Sequence, residues 1–338
     1  MGKVSSRMAK HDVLLLGLGF WGTRWVQALH NSSHCRLAGV AGSEADVARL
    51  AREYDFSGIK TFTDYRDAVE HTKAEVAVIA LPNSLHVDAA KCTLQHGMNV
   101  LSEKPLATSI QDAREIVAYT RKYPSLKYMV SQNYRWRPHN QTLRKAVVEG
   151  VVGRVGTIHC EFRRPEDLIG YREFLDRPLL QDVSIHHFDL MRFFTAANCA
   201  RMYAHSFHPA WSKFPGESAV DAVVVMERDI TINYNATWAA RGKPSSWDGD
   251  ITVTGERGSL VLNSANQVRF FAGDDTQGML LNNVEMERTE LDYGLDLFIQ
   301  CLEEDKVPET TLEDNFHSFA MVCAAEESAR SAAPVQLT

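Results

Sequence analysis

The apolar positions of residues 11–135 follow two alternating periods. Continuous runs of strand length begin at Asp12 (DVLLLGLG), Arg36 (RLAGVAG), Val76 (VAVIALP), Asn99 (NVLSEKP) and Leu126 (LKYMVSQNYRW). Between them lie FWGTRWVQALH, ADVARLAREY, AAKCTLQHG and IQDAREIVAYTRKY, whose apolar residues recur at helical spacing. An unbroken apolar strand is what a sheet covered on both faces requires, so this half predicts βαβ units feeding a parallel sheet. The helix that includes Ala89 is expected to end at Gly97, and the one from Ile110 to be capped at Thr108/Ser109.

After Pro138 the texture changes. GRVGTIHCEFRR, ARMYAHSF, SAVDAVVVMER, ITINYNATWA, DITVTGERGSLVLN and QVRFFAG are strand-like segments in near succession, several of them separated by Gly, Asn or Asp turns, which predicts an antiparallel sheet. PLLQDVSIHHFDLMRFF forms a helical insertion between the first two, and two further helical stretches, YGLDLFIQCLEED and DNFHSFAMVCAAEESARSA, close the chain. The expected fold class is α/β: an N-terminal doubly wound parallel sheet plus a C-terminal α+β domain with an open, mainly antiparallel sheet. Residues 1–10 form a polar leader, 11–135 the first domain and 136–338 the second, with the terminal helices as candidates for packing back on the first.

Composition narrows the function classes. The 338 residues are 45% hydrophobic and 23% charged with a net charge of −7, an ordinary enzyme-like balance with no Lys/Arg cluster to meet nucleic acid. No apolar run approaches the ~20 residues of a membrane helix. The six cysteines are scattered without a C-x-x-C pair, which argues against a disulfide framework and a structural zinc site, and fits reduced thiols in the cytoplasm. MGKVSS matches the acylation pattern M-G-x-x-x-[ST], its alternative being a plain disordered leader.

The first strand runs straight into G-L-G-F-W-G. In such a loop Gly17 permits the tight turn, Gly19 lets backbone approach a pyrophosphate, and Gly22 lets helix and strand pack closely, while the helix N-terminus faces the phosphates. Its place at the start of a βαβ series makes it a Rossmann dinucleotide site, with Phe20 and Trp21 at its mouth. An NAD site usually carries an acid about 20 residues further on, at the end of the second strand. Here Gly42 stands there, followed by Ser43, which could bond a 2′-phosphate with Arg49 a turn or so beyond. NADP is therefore the preferred expectation; NAD is the alternative, with Glu44 bending back to the ribose.

Oxidation of a secondary alcohol needs a base for its proton and a cation for the developing alkoxide. Lys104 in E-K-P closes a strand, and Asp182 and His186 lie four apart, on one face if the insertion is helical. With P-N-S-L-H at 82–86, these motifs resemble the glucose-fructose oxidoreductase / inositol dehydrogenase / MocA family across almost the whole chain, including the closing EESARSAAPVQL. The resemblance implies a catalytic Lys104, with His186 as proton acceptor and Asp182 positioning substrate or the Lys104 ammonium. It also implies Pro82, Asn83, His86 and Glu103 near the cofactor, and a sugar, sugar derivative or cyclitol as substrate. Trp136, Arg137, Arg163, Arg164, Tyr171, Arg172, His187 and Trp238 are candidates for the substrate side. The bland alternatives are a solvated Lys104, arginines paired with surface carboxylates, and His187 and Asp189 as helix-packing groups; no metal site is expected. One departure is D-R-P-L-L-Q before Asp182, bulkier at Arg177 and Pro178 than the family's usual glycine-rich stretch.

Two other functions are open to such a chain: an NAD-dependent glycosidase using transient oxidation, and a dinucleotide-sensing regulator without catalysis. Val223, Val225, Ile230 and Ile232 are expected on an open sheet face which, by the resemblance, pairs subunits into a homodimer or homotetramer.

Overall fold

Four consecutive residues of the first strand, Val13–Leu16, and all four of Val76–Ile79 are fully buried, as expected of strands with helices on both faces. The computed structural model describes residues 10–166 and 170–337, so the MGKVSS leader lies outside the described residues. The chain divides into two units, residues up to 133 with 288–316, and residues 134–287 with those from 317 onward.

The first unit follows the predicted rhythm through β1 His11–Leu16, α1 Phe20–Asn31, β2 Cys35–Ala41, α2 Glu44–Leu50, β3 Lys60–Phe62, α3 Tyr65–His71, β4 Val76–Ile79, α4 His86–Gln95, β5 Asn99–Glu103, α5 Ile110–Thr120 and β6 Tyr128–Ser131. Every strand pair is parallel, in the order β3-β2-β1-β4-β5-β6. Strand order reverses between β1 and β4, which opens a crevice above their carboxyl ends. Ser109 caps α5 by accepting from the Asp112 amide. β3 and α3 add elements that the apolar pattern does not show, since β3 is a three-residue edge strand.

β6 is shorter than the apolar run from Leu126 to Trp136. It stops at Ser131, and Asn133–Trp136 forms a tight helical turn before α6 Pro138–Val148. Pro138 occupies the first helical turn, where its missing N–H costs nothing. The second unit continues with β7 Val155–Arg163, α7 Pro178–Asp182, α8 Ser184–Thr195, β8 Cys199–Phe207, β9 Ala219–Met226, β10 Thr231–Thr237, β11 Asp250–Gly255, β12 Gly258–Leu262, β13 Val268–Ala272 and β14 Met279–Leu281. Then follow α9 Glu290–Glu303, in the first unit, α10 Leu312–Ser331, whose residues from His317 belong to the second, and β15 Val335–Gln336.

Among the described residues, nine strands of the second unit form one sheet, β14-β13-β12-β11-β7-β10-β9-β8-β15, antiparallel except where β7 meets β10. Side chains alternate between its faces. Ile158, Phe162, Val224, Ile232 and Tyr234 point inward and are buried, and Phe162 and Tyr234 touch His187 and Phe188 of α8. The opposite face corrects one expectation. Val223, 45% exposed, and Val225 do point outward, but Ile232 is fully buried and Ile230 is 4% exposed. Val223 pairs with Asn233 and Val225 with Thr231, so the outer face is mixed polar rather than apolar.

Buried α8 carries a full polar network. Arg135 donates through Nε and Nη2 to Asp189 at 2.6 and 2.7 Å, Ser318 Oγ donates to Asp189 at 2.7 Å, and Arg192 Nη1 donates to Ser318 at 2.7 Å. Each buried charge is thus paired and hydrogen-bonded, as its desolvation demands.

Backbone packing is close at the β1–α1 turn. A Cβ on Gly22 would sit 2.1 Å from the Gly17 carbonyl oxygen, and one on Gly17, at φ +100°, would sit 2.3 Å from that of Ala80. A Cβ on Gly19 meets nothing within 4 Å. Gly22→Ala is therefore expected to lower stability by about 2 kcal/mol, despite alanine's better helix propensity, and Gly19→Ala to leave the urea midpoint unchanged. Equal midpoints for the two variants contradict this packing.

Candidate active site

The glycine turn leads the candidate site residues of the first unit. Gly17 donates its N–H to Ala41 O at 2.8 Å and Ala80 donates to Leu16 O at 2.7 Å, so the carboxyl ends of β1, β2 and β4 are held together. Gly19 is the N-cap of α1 and its Cα faces open space, which fits the close approach of a pyrophosphate. No acidic residue occupies the first turn of α1, so nothing there offsets the positive end of its dipole. Phe20, 69% exposed, stands edge-on to Trp21, and the Arg24 guanidinium lies over both rings at 4.8 and 5.3 Å.

At the end of β2 the geometry adds what the motif leaves out. Gly42 makes room for Leu18, whose side chain lies 2.8 Å from where a Cβ would be. Ser43 is engaged as the N-cap of α2: its Oγ accepts from the Asp46 amide at 3.1 Å and donates to the Asp46 carboxylate at 2.7 Å. Arg49 Nη2 donates to Asp46 at 2.9 Å, to Leu18 O at 3.1 Å and to Thr23 Oγ1 at 3.2 Å. The hydrogen bond from Ser43 and the contact with Arg49 hold the Asp46 carboxyl below its usual range. An acid and a base therefore both stand beside the glycine loop, and Ser43-x-x-Asp46 is the capping pattern that could have revealed the acid.

β4 and β5 end on the same edge of this sheet. Pro82 and Asn83 open the tight turn Asn83–Leu85, Pro82 exposed and Asn83 half-buried. His86 is 1% exposed, with Nδ1 2.7 Å from Pro105 O and Nε2 2.9 Å from Leu81 O. Burial lowers its pKa against the pull of these carbonyls, and a neutral ring donates to only one of them. It braces the loop that carries Lys104. Lys104 closes β5 at 9% exposure and is followed by a cis peptide to Pro105. Glu103, 4% exposed, accepts from Trp25 Nε1 at 2.9 Å and so ties β5 to α1; burial raises its carboxyl to about 7 against the opposing effects of Lys104 and Trp25.

Asp182 and His186 lie within the second unit. Asp182 ends α7 and His186 lies in the first turn of α8, with Val183 between the helices at φ −100°, ψ −31°. The insertion is thus broken between the pair rather than one continuous helix. Asp182 accepts from Arg172 Nε at 2.8 Å, and the Arg172 guanidinium lies 4.9 Å from the Trp238 ring. His186 stacks on Tyr134, centroids 4.0 Å apart and planes 8° from parallel.

The residues expected to line substrate have these surroundings. Trp136 and Trp238 are core side chains at 0% and 1% exposure, Trp238 stacked on Phe214. His187 is 1% exposed and engaged at both nitrogens, by Tyr234 OH at 2.8 Å and Trp247 O at 2.9 Å; burial depresses its pKa to about 4. Arg163 has the outward parity of β7, opposite to Phe162, and pairs with Glu161 and Asp250. Arg137 caps α6 and donates to Asp248 at 2.9 Å. The Tyr171 side chain lies outside the described residues. Among the described residues there is no cluster of three or more metal-ligating side chains, and no helix is long and apolar enough to cross a membrane.

Residues 11–132 match the model of an oxidoreductase family with an NAD-binding Rossmann fold, and residues 140–261 match the GFO/IDH/MocA C-terminal domain. The chain belongs to the Gfo/Idh/MocA oxidoreductases. Among similar proteins, D-apiose dehydrogenase of Paraburkholderia graminis is 25% identical over 96% of this chain and 88% of its own. Inositol 2-dehydrogenase of an Arthrobacter species is 24% identical over 73% of this chain and 74% of its own. The fold matches that of an Agrobacterium radiobacter oxidoreductase solved with NAD+, L-tartaric acid and magnesium, with TM-score 0.88 and 19% identity over 97% of this chain and 98% of that one.

The buried Glu103 of this Gfo/Idh/MocA chain has a pH signature. Its folded pKa is raised from 4.5 to about 7, so the folded state holds a proton that the unfolded state releases. Its stabilising contribution is complete below pH 4.5 and is lost as pH rises through about 7. Melting curves from pH 4 to 8 should show the wild type losing about 3 kcal/mol relative to Glu103→Gln across that window. Parallel curves for the two proteins contradict a proton held at Glu103.

Proposed function

We propose that the chain is a dehydrogenase that oxidises a secondary hydroxyl of a sugar, sugar derivative or cyclitol with a nicotinamide dinucleotide. The observation that carries this reading is Lys104, 9% exposed, at the carboxyl end of β5 on the sheet edge that also carries the glycine turn. The relatives named D-apiose dehydrogenase and inositol 2-dehydrogenase support the substrate class.

The glycine turn and the α1 N-terminus would hold the dinucleotide, which when bound supplies the two-electron acceptor for the carbinol carbon. Lys104 places its ammonium beside the substrate oxygen and stabilises the charge that develops as the proton leaves. His186 accepts that proton in oxidation and returns it in reduction. Asp182, paired with Arg172, presents carboxylate oxygen to neighbouring hydroxyls. We propose NAD over NADP as the working cofactor, because the Ser43 hydroxyl is committed to its cap and a 2′-phosphate would meet the Asp46 carboxylate.

A panel of sugars and cyclitols that includes D-apiose and myo-inositol, assayed with NAD and NADP in parallel, tests the reading through absorbance of the reduced dinucleotide. Lys104→Ala and His186→Gln should each lower kcat by about 10²-fold or more. Normal turnover by Lys104→Ala sinks the assignment.

The outer sheet face supports self-association into a homodimer or homotetramer. It carries a hollow of about 440 Å³ lined by His159, Tyr203, His205, Asp221, Val223 and Asn233. Val223→Lys should shift light scattering toward the monomer at micromolar concentration; a wild type already monomeric there removes the proposal.

A further inference from the structure

Tyr134 has a flat group against each face of its ring. The His186 imidazole is stacked at 4.0 Å, 8° from parallel, and the Arg137 guanidinium carbon lies 3.6 Å from the same ring centroid. Non-bonded carbons keep about 3.5–4.0 Å apart, so two planar groups whose centres both fall within 4.0 Å of one ring centre cannot share a face. They lie on opposite sides, giving a layered order of guanidinium, phenol and imidazole.

The outer layer is anchored. Asp248, 1% exposed, accepts from Arg137 Nη1 at 2.9 Å, from His139 Nε2 at 3.1 Å and from Asn140 Nδ2 at 2.5 Å. Burial by itself raises such a carboxyl, yet the Arg137 charge and the bonds from His139 and Asn140 overcome it and hold Asp248 at about 2. Asn140 Nδ2 also donates to Tyr134 O at 2.8 Å, so one buried carboxylate fixes both the backbone beneath the ring and the cation above it. The Tyr134 hydroxyl, 7% exposed as a residue and raised by burial, stays protonated. The ring is therefore a neutral platform.

We infer that Tyr134 is a positioning residue for His186: its ring, backed by Arg137, fixes the plane in which the imidazole nitrogens point. The inference rests on His186 as the proton acceptor proposed above. An imidazole in face contact cannot turn about its Cβ–Cγ bond without driving an edge into the phenol. A rigid neighbour on the far side of that phenol keeps the platform from yielding. Orientation of this kind acts on the proton-transfer step more than on substrate affinity.

The test uses the full chain with histidine ring protons observed by NMR, the His186 signals being assigned by their loss in His186→Gln. Expected are upfield ring-current shifts of His186 in the wild type and in Tyr134→Phe, which keeps the ring, and their collapse in Tyr134→Leu. With the panel polyol that the wild type turns over fastest, Tyr134→Leu should lower kcat about tenfold or more with KM changed by less than about twofold, and Tyr134→Phe should restore kcat. Unshifted His186 signals in the wild type overturn the stack. Wild-type kcat in Tyr134→Leu beside an inactive His186→Gln overturns the positioning role and leaves the functional reading standing. Normal turnover by His186→Gln overturns that reading, and the positioning role with it.

Discussion

Three backbone segments approach so closely at the carboxyl end of β1 that no side chain fits between them, and the first unit is organised around that crossing. A Cβ at Gly17 or Gly22 would lie within 2.3 Å of a carbonyl oxygen, whereas Gly19 faces open space. Two glycines therefore serve the protein's own packing and one serves what comes from outside. Because the crossing fixes α1 on the sheet, it also fixes Trp25, and through the Trp25–Glu103 hydrogen bond the end of β5. His86 reaches the next step, its ring nitrogens set between Leu81 O after β4 and Pro105 O after Lys104.

In the second unit, buried carboxylates take the organising part that glycine takes in the first. Asp189 gathers Arg135 and Ser318 around α8, and Asp248 gathers Arg137, His139 and Asn140 at the start of α6. Neither acid is exposed by more than 1%, so each repays its desolvation only through several donors at once. The turn that bears Tyr134, Arg135 and Arg137 is held at both ends by these two acids.

The parallel sheet was plain in the sequence because doubly covered strands must be apolar at every position, and VAVI at 76–79 is buried throughout. The glycine motif was legible for the same reason, its context being a buried strand. Facing in the second sheet was not, because side chains alternate with a period of two and the β9–β10 turn sets the register. Glu227–Asp229, with Arg228 at φ 62° and Asp229 at φ 59°, puts Val223 beside Asn233 and turns Ile232 inward. The burial of Trp136, Trp238 and His187 was not legible either, because a large ring suits a core and a pocket lining equally well. The Asp248 contacts join residues more than a hundred positions apart, which no local pattern announces.

The single parallel pairing in the second sheet also bears on how this unit comes to fold. β7 lies between β10 and β11, both far downstream, and has no sequence neighbour to close a hairpin with. During synthesis it leaves the ribosome well before either partner exists. Loop-closure entropy then falls on the docking of β7 into a gap framed by strands made later, a cost that no hairpin neighbour offsets.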